Sequence, residues 1–207
     1  RGTISDSAGN AAVITNAAVG ANINTKVDSG LPTLTSTEVI NGNIVLTFSE
    51  DLGGTSVTPS FFTLSPSNTI SGATISGRTV TLTPSTAITA GGAGVSVSYN
   101  DNSTPDLSSG VIQDLAGNDA ASFSNAAATK VTASGPITLA ATTTFTTAVL
   151  SGTTNDALTG NAAANTLTGN SGANRISAGG AADNLTGLGG ADTFAYTTNS
   201  DSLLAGF

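Results

Sequence analysis

The chain has 207 residues, a net charge of −8, and neither cysteine nor histidine. Without thiols or imidazoles there is no disulfide, no thiolate metal site and no ordinary general base, so most familiar catalytic constellations are excluded. The balance of 13 Asp and Glu against 5 Lys and Arg argues against nucleic acid as a partner and for a hard cation such as calcium, and no stretch approaches the roughly 20 apolar residues of a membrane span.

Composition also sets the fold class. Helix-forming charged residues are scarce, Thr, Ser, Asn and Gly are abundant, and no long apolar window shows the helical period, so an all-β chain is expected. The length suffices for one or two domains, each with its own core.

Residues 2–19, GTISDSAGNAAVITNAAV, return as residues 110–128, GVIQDLAGNDAASFSNAAA, with Asp119 inserted. Ile4 matches Ile112, Asp6 matches Asp114 and Ile14 matches Phe123, so residues 1–30 read as the terminal strand and linker of a preceding repeat. Arg1 opens no recognisable signal peptide, and the chain is expected to be an excised part of something longer.

Residues 31–133 read as one full repeat. The run NIVLTFSEDL sets Ile44, Leu46 and Phe48 on one face against Val45, Thr47 and Ser49 on the other, which predicts a half-buried strand. Further alternating stretches follow at SFFTLS, TISGATI, RTVTLTP and GVSVSY, separated by turn-rich segments. About seven short strands at this spacing predict an immunoglobulin-like β-sandwich. The acidic residues of this part, Glu50, Asp51, Asp101, Asp106, Asp114 and Asp119, sit in its loops. Two readings are open for them: a calcium site at a domain junction, or ordinary turn residues.

Residues 134–150, SGPITLAATTTFTTAVL, hold Ile137, Leu139, Phe145, Val149 and Leu150 and read as a linker or capping strand. Residues 151–195 then divide into five nonapeptides, SGTTNDALT, GNAAANTLT, GNSGANRIS, AGGAADNLT and GLGGADTFA. Position 6 is Asp156, Asn165, Asn174, Asp183 and Asp192, and position 8 is Leu158, Leu167, Ile176, Leu185 and Phe194. These columns resemble the nonapeptides of repeat-in-toxin proteins, and that resemblance implies that two nonapeptides make one 18-residue coil with the position-8 side chains inward as a narrow core. Asp156, Asn174 and Asp192 then fall on one edge and Asn165 and Asp183 on the other, with neighbours about 4.8 Å apart. Every stacked pair keeps one carboxylate, so fewer or weaker calcium sites are expected than with Asp throughout; hydrogen-bonded Asn ladders without metal are the competing reading.

Two resemblances follow from these motifs. VLTFSEDL, VTLTPSTAITAG, VSVSYND and GVIQDLAGNDAASF together are similar to the immunoglobulin-like repeats of giant bacterial surface proteins, particularly cyanobacterial motility and adhesion proteins. The nonapeptides resemble, in degraded form, the calcium-binding G-G-x-G-x-D-x-U-x pattern of repeat-in-toxin (RTX) proteins, and residues 196–207 resemble the start of the tail of type I secreted proteins. The resemblance implies a parallel β-roll after the sandwich, calcium held by Asp156, Asn165, Asn174, Asp183 and Asp192 with turn carbonyls, and early glycines that take φ > 0 to aim those carbonyls. It implies a secreted, non-enzymatic, cell-surface structural or adhesive protein with calcium as its cofactor and self-association or a cell-surface or glycan ligand as its further partners. Two alternatives stand beside it: an extracellular filament that exchanges the strand at residues 1–20, and the secretion module of a larger RTX enzyme. No HExxH or GxSxG is present in these residues, so under the last reading activity lies elsewhere.

Overall fold

The computed structural model describes residues 28–101 and 110–196. Most of the preceding-repeat segment at residues 1–30, Asp106, and all of the tail but Tyr196 lie outside the described residues. The rest is all-β, with no α-helix among the described residues.

The first seven strands are β1 (Leu34–Ile40), β2 (Asn43–Phe48), β3 (Phe62–Ser65), β4 (Ile70–Ser76), β5 (Thr79–Pro84), β6 (Ser96–Tyr99) and β7 (Phe123–Ala127). Strand β2 behaves as its alternation predicts, burying Ile44, Leu46 and Phe48. It pairs with β1 through a tight turn at Asn41 and Gly42, whose φ values of 48° and 82° are both positive, the left-handed pair that matches strand twist in a two-residue hairpin. One face of the sandwich is the antiparallel run β1-β2-β5-β4, and the other is β3-β6-β7.

Between the faces lie Phe48, Leu82, Val97 and Ile112. Tyr99 packs between Phe62 and Phe123, with ring centroids 5.2 and 5.7 Å away. Its buried hydroxyl accepts the Ile112 N–H at 3.0 Å. Burial pushes the phenol up to about 12, so this group is a neutral structural partner.

The larger face does not stop at the sandwich. Strand β8 (Lys130–Ala133) lies parallel to β1, with Val131 opposite Val39, and β10 (Thr147–Leu150) lies parallel to β8, with Ala148 opposite Val131. Strands β12 (Thr166–Thr168) and β14 (Asn184–Thr186) continue the ladder, giving one eight-stranded sheet in the order β14-β12-β10-β8-β1-β2-β5-β4. Opposite charges face each other where the two parts meet: Lys130 pairs with Glu38 at 3.1 Å across β8 and β1.

Facing β8, β10, β12 and β14 is a four-stranded parallel sheet of β9 (Ile137–Thr138), β11 (Ala157–Thr159), β13 (Arg175–Ser177) and β15 (Thr193–Ala195). From β11 onward successive partners in it are 18 residues apart, as Leu158 with Ile176 and Ile176 with Phe194, so two nonapeptides make each coil; between β9 and β11 the spacing is 21, as Ile137 with Leu158. Residues 134–150, read from sequence as linker or capping strand, supply β9 and β10 and bury Ile137, Leu139, Phe145 and Leu150.

In the column expected as the roll's core, Leu158, Leu167 and Ile176 are fully buried, Leu185 is half-buried, and Phe194 is 41% exposed. Phe194 keeps its place in the column, opposite Ile176, but is not closed off from solvent as the inner residues are. It belongs to the last described coil, so no further described coil lies over it.

Candidate metal centre

The register places the position-6 residues as two stacks. Ala157, Arg175 and Thr193 are successive partners, so Asp156, Asn174 and Asp192 share one edge. Thr166 pairs with Asn184, so Asn165 and Asp183 share the other.

Each stack is tied through backbone amides. Asp183 Oδ1 accepts the Asn165 N–H at 2.7 Å, and Asp192 Oδ1 accepts the Asn174 N–H at 2.9 Å. The coil above thus supplies a carboxylate oxygen to the coil below, a charge-assisted bond stronger than a neutral one. Asp156, at the bottom of its stack, takes the Thr154 hydroxyl instead.

The two Asn side chains fold back onto their own turns. Asn165 Oδ1 accepts the Asn161 N–H at 2.9 Å, and Asn174 Oδ1 accepts the Asn170 N–H at 2.8 Å. A second tier of Asn crosses between segments: Asn161 Nδ2 donates to the Ala140 carbonyl at 2.9 Å, and Asn155 Oδ1 accepts the Ala173 N–H at 2.8 Å. Part of the roll is therefore held by an amide ladder.

The early glycines divide between the positive φ expected of them and a second role at position 1. Gly152, Gly179 and Gly190 do take positive φ, but so do Ala181 at 65° and Leu188 at 69°. At Gly169 the need is space: an added Cβ would lie 2.5 Å from Asn174 Oδ1 and 2.6 Å from the Gly187 carbonyl. The glycine lets the position-6 side chain reach back across its own turn.

The fit to calcium differs along the stacks. Calcium needs six or more hard oxygens. On the lower part of the first edge the Thr154 and Asp156 carbonyls already receive Asn174 Nδ2, at 3.3 and 3.4 Å, so the donor set there is met by an amide. Asp183 and Asp192 stand in the uppermost described turn of their edges, and a carboxylate accepts at both oxygens. These two residues fit a calcium ion best among the position-6 side chains.

The acidic loops form a second group. Carboxylate oxygens of Asp28, Glu50 and Asp114 lie within 4.8 Å of one another. Asp114 is buried, and its carboxylate closes its own turn: Oδ1 accepts the Ala116 and Asn118 N–H groups, both at 2.8 Å, and Oδ2 accepts Asn118 Nδ2 at 2.7 Å. Burial works to raise its pKa, but these bonds outweigh it and hold the carboxyl below its ordinary value. Glu50 moves the other way, raised by desolvation and then by the Asp28 and Asp114 charges, with Arg78 opposing.

Asp51, Asp101 and Asp119 are not members of this group among the described residues. Asp51 faces Arg78 at 3.4 Å on the exposed surface, the Asp101 N–H donates to Ser122 Oγ at 2.9 Å, and Asp119 bridges to Gln113. Asp28 was not foreseen from the sequence, although its neighbourhood carries a signal: TKVDSG at residues 25–30 returns as TKVTASG at residues 129–135. The nonapeptide register likewise runs on into residues 196–204, with Asp201 at position 6 and Leu203 at position 8, beyond the described part.

Two family models match the chain. Residues 27–104 match a flagellar system-associated repeat, and residues 159–194 match the RTX calcium-binding nonapeptide repeat. No curated protein and no solved structure matches.

Proposed function

We propose that this chain is a non-enzymatic structural module of a secreted cell-surface protein, in which a calcium-stabilised β-roll extends an immunoglobulin-like repeat as one stiff, adhesive or load-bearing body. The observation that carries this reading is the unbroken eight-stranded sheet. A ladder of backbone hydrogen bonds running from β4 to β14 leaves no loose hinge between the two parts, as suits a spacer rather than a pair of domains closing on a substrate.

The match of residues 159–194 to RTX calcium-binding nonapeptides supports calcium as the cofactor. Asp183 and Asp192 would hold it together with turn carbonyls, while Asp156, Asn165 and Asn174 serve mainly as cross-links between coils. When bound, calcium supplies a positive partner to oxygens of stacked turns. The net charge of −8 suits an extracellular setting where divalent cations are plentiful. Surface attachment to a glycan or to neighbouring surface chains is the role that follows.

Calcium titrated into chelator-treated protein is expected to raise the melting temperature and the β-sheet circular dichroism. No change in either would remove calcium from the reading. Labelling of intact source cells with an antibody to the roll tests the location, and signal only after lysis would overturn it.

A further inference from the structure

We propose that Asn174 is a built-in replacement for a calcium ion, an amide that cross-links two stacked turns so that this rung of the roll holds without metal. The inference rests on the calcium-stabilised reading of the roll and divides it: calcium acts at the turns of Asp183 and Asp192, and the lower part of the Asp156–Asn174 edge does not need it.

A cation between stacked turns gives their carbonyl oxygens a common positive partner. The Asn174 side chain does the same work with two N–H bonds. Its Nδ2 group reaches the Thr154 carbonyl at 3.3 Å and the Asp156 carbonyl at 3.4 Å, both in the coil below. Its Oδ1 takes the Asn170 N–H at 2.8 Å. Its backbone N–H goes up to Asp192 Oδ1 at 2.9 Å, and its carbonyl takes the Thr193 N–H at 2.8 Å. The residue is 2% exposed, and its hydrogen-bonding groups all have partners. The amide orientation is forced, because the reverse would set an oxygen against two carbonyls and an NH₂ against an N–H.

The other edge shows why position matters more than residue type. Asn165 folds back in the same way onto Asn161. Below it, however, Thr147 pairs with Thr166, so that Asn165 lies over Thr146 just ahead of strand β10 rather than over a nonapeptide turn. Its Nδ2 is buried without a hydrogen-bond partner. Only Asn174 has a full turn beneath it whose carbonyls can receive the amide.

A carboxylate at position 174 would reverse the chemistry. Its oxygen would face the Thr154 and Asp156 carbonyls, and with Asp156 and Asp192 it would make three stacked carboxylates on one edge. Such a rung requires a cation.

The test compares the full chain with Asn174→Asp and Asn174→Ala, each in chelator and in millimolar calcium. In chelator both variants are expected to melt roughly 5–10 °C below wild type, from two or more lost hydrogen bonds. Calcium is expected to raise Asn174→Asp by more than it raises wild type, and Asn174→Ala by no more than wild type. An Asn174→Asp protein that melts like wild type in chelator, or that gains no more from calcium than a wild type that calcium does stabilise, overturns the proposal. Hydrogen exchange on chelator-treated wild type decides the matter even if a variant does not fold: the Asn170 and Asn174 amides are expected to be as protected as strand β13, and protection appearing only with calcium overturns the proposal. If calcium shifts none of the three proteins while both variants still lose stability, the cross-link stands and the calcium reading of the roll fails.

Discussion

The sandwich and the roll share a sheet but are held by different means. In the sandwich, Phe48, Phe62 and Tyr99 fill the space between two faces, so stability comes mainly from large apolar side chains leaving water. In the inner nonapeptide coils β11, β12 and β13 each offer one large inward residue, Leu158, Leu167 and Ile176, and much of the remaining cohesion lies in Asn side chains bonded to turns. Stability in the roll is therefore close to a sum of coil and neighbour terms, whereas antiparallel pairs such as β3 with β6 tie distant parts of the sandwich together. Damage to the sandwich spreads through all of it; damage to the roll stays close to the coil it strikes.

The weld between them is where that contrast is most open to attack. Val131, 3% exposed, lies between Val39 and Ala148 in the parallel ladder. Val131→Asp would bury an unpaired carboxylate, at a cost of about 3–5 kcal/mol. Both parts are expected to lose stability together, seen as a lowered melting transition and as faster hydrogen exchange in β1 and in β10. A loss confined to the roll would show that the sandwich does not depend on the shared sheet.

Within the roll, Leu167→Ala is expected to cost about 2–5 kcal/mol by leaving a cavity in the column. Phe194→Ala, at a residue 41% exposed, is expected to cost under about 1 kcal/mol. Chemical denaturation of the two variants measures the gradient from inner coil to open end. Equal losses would mean that Phe194 is covered in solution.

Much of this was legible beforehand, for a simple reason. Period-2 burial in β2 and the nine-residue recurrence of Leu158, Leu167 and Ile176 are direct imprints of which side chains face a core, and both appear in the sequence as regular columns. What was not legible depends on distant pairing. Nothing local in Leu34–Ile40 announces that β1 will carry β8 alongside it, and residues 137–150 form roll strands without the position-6 Asp or Asn that marks the later ones. The candidate cluster divides in the same way. Glu50 and Asp114 were visible as loop carboxylates, but Asp28 joins them only through the fold. The purpose of Gly169 also escaped, because a glycine that yields space to an amide looks the same in sequence as one that needs positive φ.

Gly169→Ala is the next test of the contrast. Its methyl group would press on Asn174 Oδ1 and the Gly187 carbonyl, displacing the amide from its own turn. A loss of about 1–3 kcal/mol is expected, with the Asn170 amide losing its exchange protection. The same exchange is expected to leave the sandwich unmoved, since no sandwich contact is touched.

The smallest expected effects belong to the acidic group at the foot of the sandwich, and their signs are opposite. The Asp114 carboxyl is held below its ordinary value of 3.8, so its ionised form favours the folded state. That contribution is present above the ordinary value and is lost as pH falls through the lowered one. Glu50 is raised above 4.5 by desolvation and by the Asp28 and Asp114 charges. Its folded form therefore holds a proton more tightly than its unfolded form, and stability falls as pH rises from 4.5 through the raised value. In chelator, Glu50→Gln is expected to melt above wild type at pH 7, with the difference vanishing below pH 4.5. Asp114→Asn is expected to melt below wild type at pH 7, with its deficit shrinking only under more acid conditions, because three donors, the Ala116 and Asn118 N–H groups and Asn118 Nδ2, lose their charged acceptor. Melting curves between pH 3 and 8 for the two variants separate the roles: both variants melting below wild type at pH 7 would show that the Glu50 charge is not disfavoured in the folded chain.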